Sequence, residues 1–176
     1  MVEMVLPRAT LEHIKSEASE VVTSEAAFGG GCHWCTEAVF DHAPGVLTVR
    51  QGFASGPPPD DAPSEAALVT WGEEVTLEDL IRIHLDTHSA GSDHALRARY
   101  RSAIYVTGSA QAALARSVLR EEAAQRGPLV TRVLPLAAWR DSPPRYQRYY
   151  RTRPDAPFCR VHIAPKLARL RASREA

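Results

Sequence analysis

Cysteine, surplus charge and long apolar runs are what this 176-residue sequence withholds. It has three cysteines, an odd number and too few to staple a fold with disulfides. A hydrophobic core must therefore hold it together, and at 44% hydrophobic and 24% charged residues the chain has the composition to build one. Lys+Arg and Asp+Glu both number 21, so neither nucleic acid nor an anionic membrane has an electrostatic claim as main partner. No apolar stretch approaches the roughly 20 residues that span a bilayer. The opening "MVEMVLPRATLEHIKSEASE" mixes acidic, basic and apolar residues without a sustained hydrophobic region, so no secretory signal is read there. A reducing cytoplasm is the expected compartment, and there paired cysteines are more often catalytic or metal-binding than structural. Internal repeats and low-complexity runs are absent as well. One domain is expected over residues 23–176, behind an arm at 1–22 with a weakly amphipathic helix at 9–19.

What is present reads as alternating strands and helices. "VTSEAAF" is a strand leading into Gly29, Gly30 and Gly31. "HWCTEAVFDHA" has helical apolar spacing and is ended by Pro44 and Gly45. "VLTVRQGF" and "EAALVTW" are strands on either side of the loop "ASGPPPDDAPS". Thr76 opens a capping box with Asp79, and the following helix puts Leu77, Leu80, Ile81 and His84 on one face. After the irregular "SAGSDHALRARY" comes the strand "RSAIYVT", then a long helix capped by Ser109 and closed by Gly127 and Pro128. "LVTRVLPLAAW" is a single strand bent by Pro135, "SPPRYQRYYRT" a short aromatic helix and "PKLARLRASREA" a basic one. This order predicts an α+β, ferredoxin-like sandwich: a mixed, mainly antiparallel sheet with helices packed on it.

Two of the three cysteines stand three apart in "FGGGCHWCTEAVF". Cys32 falls where glycines run into a helix, and unpaired N–H groups and the helix dipole stabilise a thiolate there. Cys35 is one turn later, close enough for a disulfide if the first turn distorts slightly. Three readings stay open on the motif alone. The pair is two buried hydrophobes, or part of a metal site that lacks the usual second close pair, or a thiol redox centre.

The segment "AAFGGGCHWCTEAVFDHAPGV" resembles the active-site segment of the peptide methionine sulfoxide reductase A family, whose usual form is G-C-F-W-[CG], an acidic helix and P-G-V. "GFASG", "SEAALVTW", "LEDLIRIHLDTH" and "YRSAIY" are similar to later family motifs in the same order. "RYQRYYRTRPDAPFC" followed by "IAPKLARLR" is similar to the tail of a subgroup with one C-terminal cysteine. The likeness runs from residue 24 to about 171. It implies reduction of the S epimer of methionine sulfoxide, free or in proteins, without metal or organic cofactor, by a monomer that a thioredoxin-type dithiol regenerates. It makes Cys32 the nucleophile and Glu65 the proton donor, a role for which a carboxylate must be held away from water. Tyr100 adds a hydroxyl to the oxygen site, and Trp34 forms the pocket for the S-methyl group. The sulfenic acid left on Cys32 is resolved by Cys35, the nearer thiol in sequence, or by Cys159.

Several residues depart from the family pattern. His33 replaces a phenylalanine of the methyl pocket. It either adds polarity and helps hold the thiolate, or stacks half-exposed on the helix. Phe53 replaces a tyrosine that supplies a second hydroxyl. Pro63 and Ser64 stand where the family has His-Ala, which leaves open that Glu65 is a plain surface strand residue. Asp93 is out of step by two residues with a family aspartate. His84 and His88, four apart on a helix, have a metal-binding spacing but read first as packing residues. These departures keep two alternatives alive: a sulfoxide-binding module without activity, and a general C-x-x-C disulfide oxidoreductase.

Overall fold

Alternation along the central strands decides the architecture. The computed structural model describes residues 22–93 and 95–175, so the arm helix expected at 9–19 lies outside the described residues. The order is β1 (Ser24–Gly29), α1 (His33–Asp41), β2 (Val46–Ser55), β3 (Ser64–Trp71), α2 (Leu77–Thr87), β4 (Ala103–Val106) and α3 (Ser109–Arg126). There follow β5 (Arg132–Pro135), β6 (Ala138–Asp141), α4 (Tyr149–Thr152) and α5 (Ala164–Glu175). A 3-10 turn at Pro144–Tyr146 precedes α4, and a π turn at Cys159–Ile163 runs into α5.

The six strands form one sheet in the order β5-β4-β1-β3-β2-β6. Only β4 and β5 pair in parallel; the other four pairs are antiparallel. The central β4-β1-β3-β2 has the ferredoxin-like order, in which each βαβ unit leaves room for a strand of the other. Successive side chains point to opposite faces. Phe28, Val69, Trp71, Ile104 and Val106 therefore meet Phe40, Leu80, Ile81 and Val118 of the helices in one core. Ala27, Ala54, Ala66 and Ala103 line the other face with Leu68, Tyr105 and Leu134. Small side chains suit a concave face, and the sheet curls around it.

That curl overturns the expectation of one strand over 129–139. Pro135 has no N–H to continue the ladder with β4. The next amide, of Leu136, reaches Val106 O at 2.9 Å, and that of Ala137 reaches Ser55 O at 2.9 Å. Within two residues the chain passes from one edge of the sheet to the other and forms β6 beside β2.

Two smaller expectations also change. Gly108, not Ser109, is the N-cap of α3, and the Gln111 side chain turns back to accept from the Thr107 amide (3.0 Å) and hydroxyl (3.2 Å). The aromatic helix expected over 142–152 shrinks to a 3-10 turn and the single turn α4. Arg148 between them is left-handed (φ 54°), and its amide donates to Glu37 Oε1 at 2.5 Å instead of to a helical carbonyl. The capping box of α2 is present as read: Asp79 N–H donates to Thr76 Oγ1 (3.2 Å) and Thr76 N–H to Asp79 Oδ2 (3.2 Å).

Gly30 is required by close approach. A β-carbon there would lie 2.4 Å from the His88 ring, which is fixed by His84 O (2.5 Å) and Ser102 Oγ (2.8 Å). Gly30→Ala should therefore destabilise the fold by about 1–3 kcal/mol through overpacking. Urea unfolding should show a lower midpoint at unchanged m-value; an unaltered midpoint would mean that the ring moves freely.

Candidate active site

Strand β1 ends at Gly29, and two further glycines carry the chain into α1. Cys32 is the N-cap (φ −57°, ψ 128°), its carbonyl accepting from the amides of Cys35 (3.0 Å) and Thr36 (3.2 Å). The N-cap residue caps no N–H with its own side chain, and the Trp34 amide stays turned to the Cys32 sulfur. The neighbouring Cys35 thiol and the Trp34 and Cys35 amides favour the charged form of that sulfur. The Cys35 hydrogen bond is the strongest influence, and together they lower the Cys32 pKa against burial and the charge of Glu65. Cys35, as donor, is pushed far up by the same bond and by burial, with Lys166 opposing. Cys159 is fully buried in the same apolar cluster as Cys35, and burial raises its thiol too.

Glu65 comes from β3 and is only 4% exposed, so it is no surface strand residue. The His33 amide donates to its Oε2 at 3.2 Å and Arg99 Nε to its Oε1 at 3.0 Å. His33 is 8% exposed and is not the half-exposed ring that stacking on the helix would give. Its Nδ1 is 3.0 Å from Gly52 O; a carbonyl only accepts, so Nδ1 carries a proton. The other nitrogen, Nε2, is thereby turned to Glu65 Oε2 at 3.8 Å. Phe53 is the cross-strand neighbour of Glu65 and meets the His33 ring edge-on at 5.4 Å. Half-buried Tyr100 has the Arg99 guanidinium 5.2 Å over its ring. Burial, then the charge of Glu65, raises the pKa of its hydroxyl.

Trp34 lies flat on Tyr149 of the tail, rings 4.0 Å apart and 3° from parallel, with Phe158 edge-on at 5.6 Å. Cys32, His33, Trp34, Cys35, Phe53 and Glu65 thus form one group, with Tyr100 on its rim. Asp93 is exposed and its charge faces Arg97. His84 and His88 stack at 4.0 Å with their nitrogens on Gly29 O, His84 O and Ser102 Oγ. Among the described residues no cluster of three or more His, Cys, Asp or Glu could hold a metal ion. A cavity of about 180 Å³ lies beside the cysteine pair, between Gly31, His84, His88 and Lys166.

Four contributors escaped the sequence reading: Glu37, Gln51, Arg99 and Tyr149. Glu37 had a signal, an acid set among buried apolar residues on the inner face of α1. Arg99 had none, since pairing across 34 residues leaves no local pattern.

A thiol with a lowered pKa, a second thiol one turn away and a buried carboxylate beside them, all on an α+β sheet, make up the candidate site. The family model of peptide methionine sulfoxide reductases matches residues 24–176, and the chain belongs to that family. A peptide methionine sulfoxide reductase of Granulibacter bethesdensis is 35% identical over 164 residues, covering 83% of this chain and 89% of that protein. The solved methionine sulfoxide reductase A of Corynebacterium diphtheriae superimposes with a TM-score of 0.64 at 28% identity, over 75% of this chain and 76% of that one. Mxr1 of Saccharomyces cerevisiae, solved in complex with Trx2, has the same fold (TM-score 0.59, 15% identity, 72% of this chain and 87% of that one).

The lowered Cys32 pKa has a measurable consequence. The thiolate is present above that pKa and is lost as pH falls through it, so alkylation by iodoacetamide should have its midpoint below the ~8.5 of a free thiol. Cys35→Ala should move the midpoint up, while Cys35→Ser, which keeps a donor, should move it less. No movement in either variant would assign the whole effect to the helix amides.

Proposed function

We infer that this protein reduces the S epimer of methionine sulfoxide, free or in peptides, to methionine by thiol chemistry. One observation carries the reading: within a chain of this family, the Cys32 thiol at the helix N-terminus is joined to Glu65 through the adjacent His33 amide. Cys32 gives its proton to Glu65, and the thiolate attacks the sulfoxide sulfur as Glu65 protonates the oxygen. The hydroxyl then passes to the Cys32 sulfur as the substrate S–O bond and the transient sulfur–sulfur bond break, so that methionine leaves and Cys32 carries the oxygen as sulfenic acid. Thiol and sulfoxide are thus converted to sulfenic acid and thioether, with no proton or electron left over. Cys35 then attacks the Cys32 sulfur, expelling water and forming a disulfide. Its thiol, one helical turn from that sulfur and the largest influence on its charge, is favoured over Cys159 for this step. A thioredoxin-type dithiol in a reducing compartment such as the cytoplasm restores both thiols by exchange.

The remaining residues divide the substrate between them. Trp34, fixed by Tyr149, and Phe53 supply apolar surface for the S-methyl group, and Tyr100 adds a hydroxyl for the oxygen. His33 borders the same pocket through its ring contacts with Phe53 and Trp34, and its Nε2, turned to the carboxylate, serves as a second proton site for Glu65. Arg99 is 68% exposed at its side chain, so a substrate oxygen can displace it from Glu65. Every group the cycle needs, apart from the reductant, lies in one chain, which fits action as a monomer.

Steady-state turnover on separated sulfoxide epimers with dithiothreitol tests the reading. Turnover should be confined to the S epimer, and equal rates on both would refute the site geometry. Glu65→Gln should lower kcat by about 10²–10⁴-fold while leaving Cys32 alkylation intact; an unchanged kcat would remove Glu65 from the proton path. After one turnover without reductant, mass spectrometry should find Cys32 bridged to Cys35. A Cys32–Cys159 bridge would pass the resolving role to the tail.

A further inference from the structure

Each of the four arginine–aromatic contacts among the described residues borders the active site. Arg99 covers Tyr100 (5.2 Å), Arg140 covers Phe53 (4.3 Å), Arg145 covers Tyr146 (4.7 Å) and Arg153 covers Tyr149 (5.2 Å). The rings beneath three of them are continuous with the site. Phe53 meets His33 at 5.4 Å, while Tyr149 and Tyr146 lie 4.0 and 6.4 Å from Trp34. Strand pairing places Arg140 opposite Phe53, so its position is set by the sheet.

Among the described residues, three of these four arginines lack an acidic partner, in contrast to six others of the chain. Arg50, Arg82, Arg101, Arg126, Arg132 and Arg151 each pair with a carboxylate. Arg99 has Glu65. Among the described residues, Arg140, Arg145 and Arg153 have no such partner within 4.0 Å, and all three are exposed. Three nearby acids are already engaged, Asp141 by Arg50 and Trp139, Asp41 by Arg151, and Glu37 by the tail backbone, and exposed Asp155 makes no ion pair within 4.0 Å among the described residues. A chain with no net charge thus has a positive rim at its reactive sulfur. Resting on a ring reduces a guanidinium's freedom and keeps its donor fork turned outward.

We propose that this rim selects methionine sulfoxide flanked by aspartate or glutamate in polypeptide substrates, the flanking carboxylates pairing with Arg140, Arg145 and Arg153. The proposal rests on the reductase reading. Exposed pairs are individually weak and screened by salt, so the selection acts as a sum over several contacts and fades with ionic strength.

Three blocked pentapeptides centred on methionine S-sulfoxide, with aspartate, serine or lysine on both sides, provide the test. At low salt kcat/KM should fall in that order, by about tenfold from the aspartate to the lysine peptide. The ratio should approach one in 0.5 M NaCl and in the triple variant R140Q/R145Q/R153Q. Equal rates for the three peptides would overturn the proposal while leaving the reductase intact, as would a preference that survives both salt and the triple variant. Calorimetric binding of the same peptides to Cys32→Ser reads the rim without turnover. The same order of affinity is expected there even if no peptide is reduced, an outcome that would sink the reductase reading alone.

Discussion

The candidate active site depends on one buried carboxylate to which the proposed chemistry gives no role. Glu37 sits on the inner face of α1 and accepts from Arg148 N–H (2.5 Å), Tyr149 N–H (3.1 Å) and Gln51 Nε2 (2.9 Å). Burial raises its pKa and these three donors oppose that rise. The bonds join the helix that presents Cys32 to strand β2 and to a tail more than a hundred residues away. They also hold Arg148 in a left-handed backbone, a conformation that costs a non-glycine residue about 1–2 kcal/mol. Losing the acceptor would strand several buried donors at roughly 1–3 kcal/mol each. Tyr149 would then leave Trp34, and the apolar cover over Cys35 would open. Ile163 and Leu167 join that cover from the same tail, so its position is shared between one polar anchor and a small core.

Glu65 is held in a different way, by the sheet. It lies on a central strand whose neighbours are buried on both faces, so β3 has little freedom to move. A carboxylate there reaches the His33 amide because β1 stops at Gly29 and α1 begins within three residues. The glycines make that short connection feasible, since the chain passes the His88 ring with no room for a side chain at Gly30. Strand, glycine turn and helix N-terminus thus bring sulfur and carboxylate together with few adjustable parts. In the proposed reaction, preorganisation of this kind lets a small displacement of the exposed Arg99, instead of a backbone rearrangement, bring the substrate oxygen to Glu65.

Local patterns gave up most of the elements, and long-range ones did not. The capping box of α2, the glycine stop of α3 and the strand alternation are written in neighbouring residues and could be read directly. Cys32 and Cys35 stood out for the same reason. The division of 129–139 into two edge strands depends on the curl of the whole sheet, which no window of a few residues records. The tail failed as a helix because Glu37 competes for its amides, a contest settled across a hundred residues. Arg99 and Gln51 were missed on similar grounds: their partners are fixed by topology. His33 was noticed only as a departure from a pattern, and its ring turns out to be directed by the carbonyl of Gly52, again a tertiary partner.

The two cysteines have the same chemistry in sequence and opposite roles in space, and the hydrogen bond between them makes the distinction. A donated S–H favours charge on the acceptor and disfavours it on the donor. In the proposed reaction Cys32 is then the attacking thiolate and Cys35 the partner that keeps its proton. Once Cys32 carries oxygen, that bond no longer has a thiolate to stabilise, and the restraint on Cys35 is relaxed. Lys166 then faces Cys35 with a favourable charge. In the proposed cycle the second thiol is thus held back while a thiolate stands beside it and released once that thiolate has become a sulfenic acid.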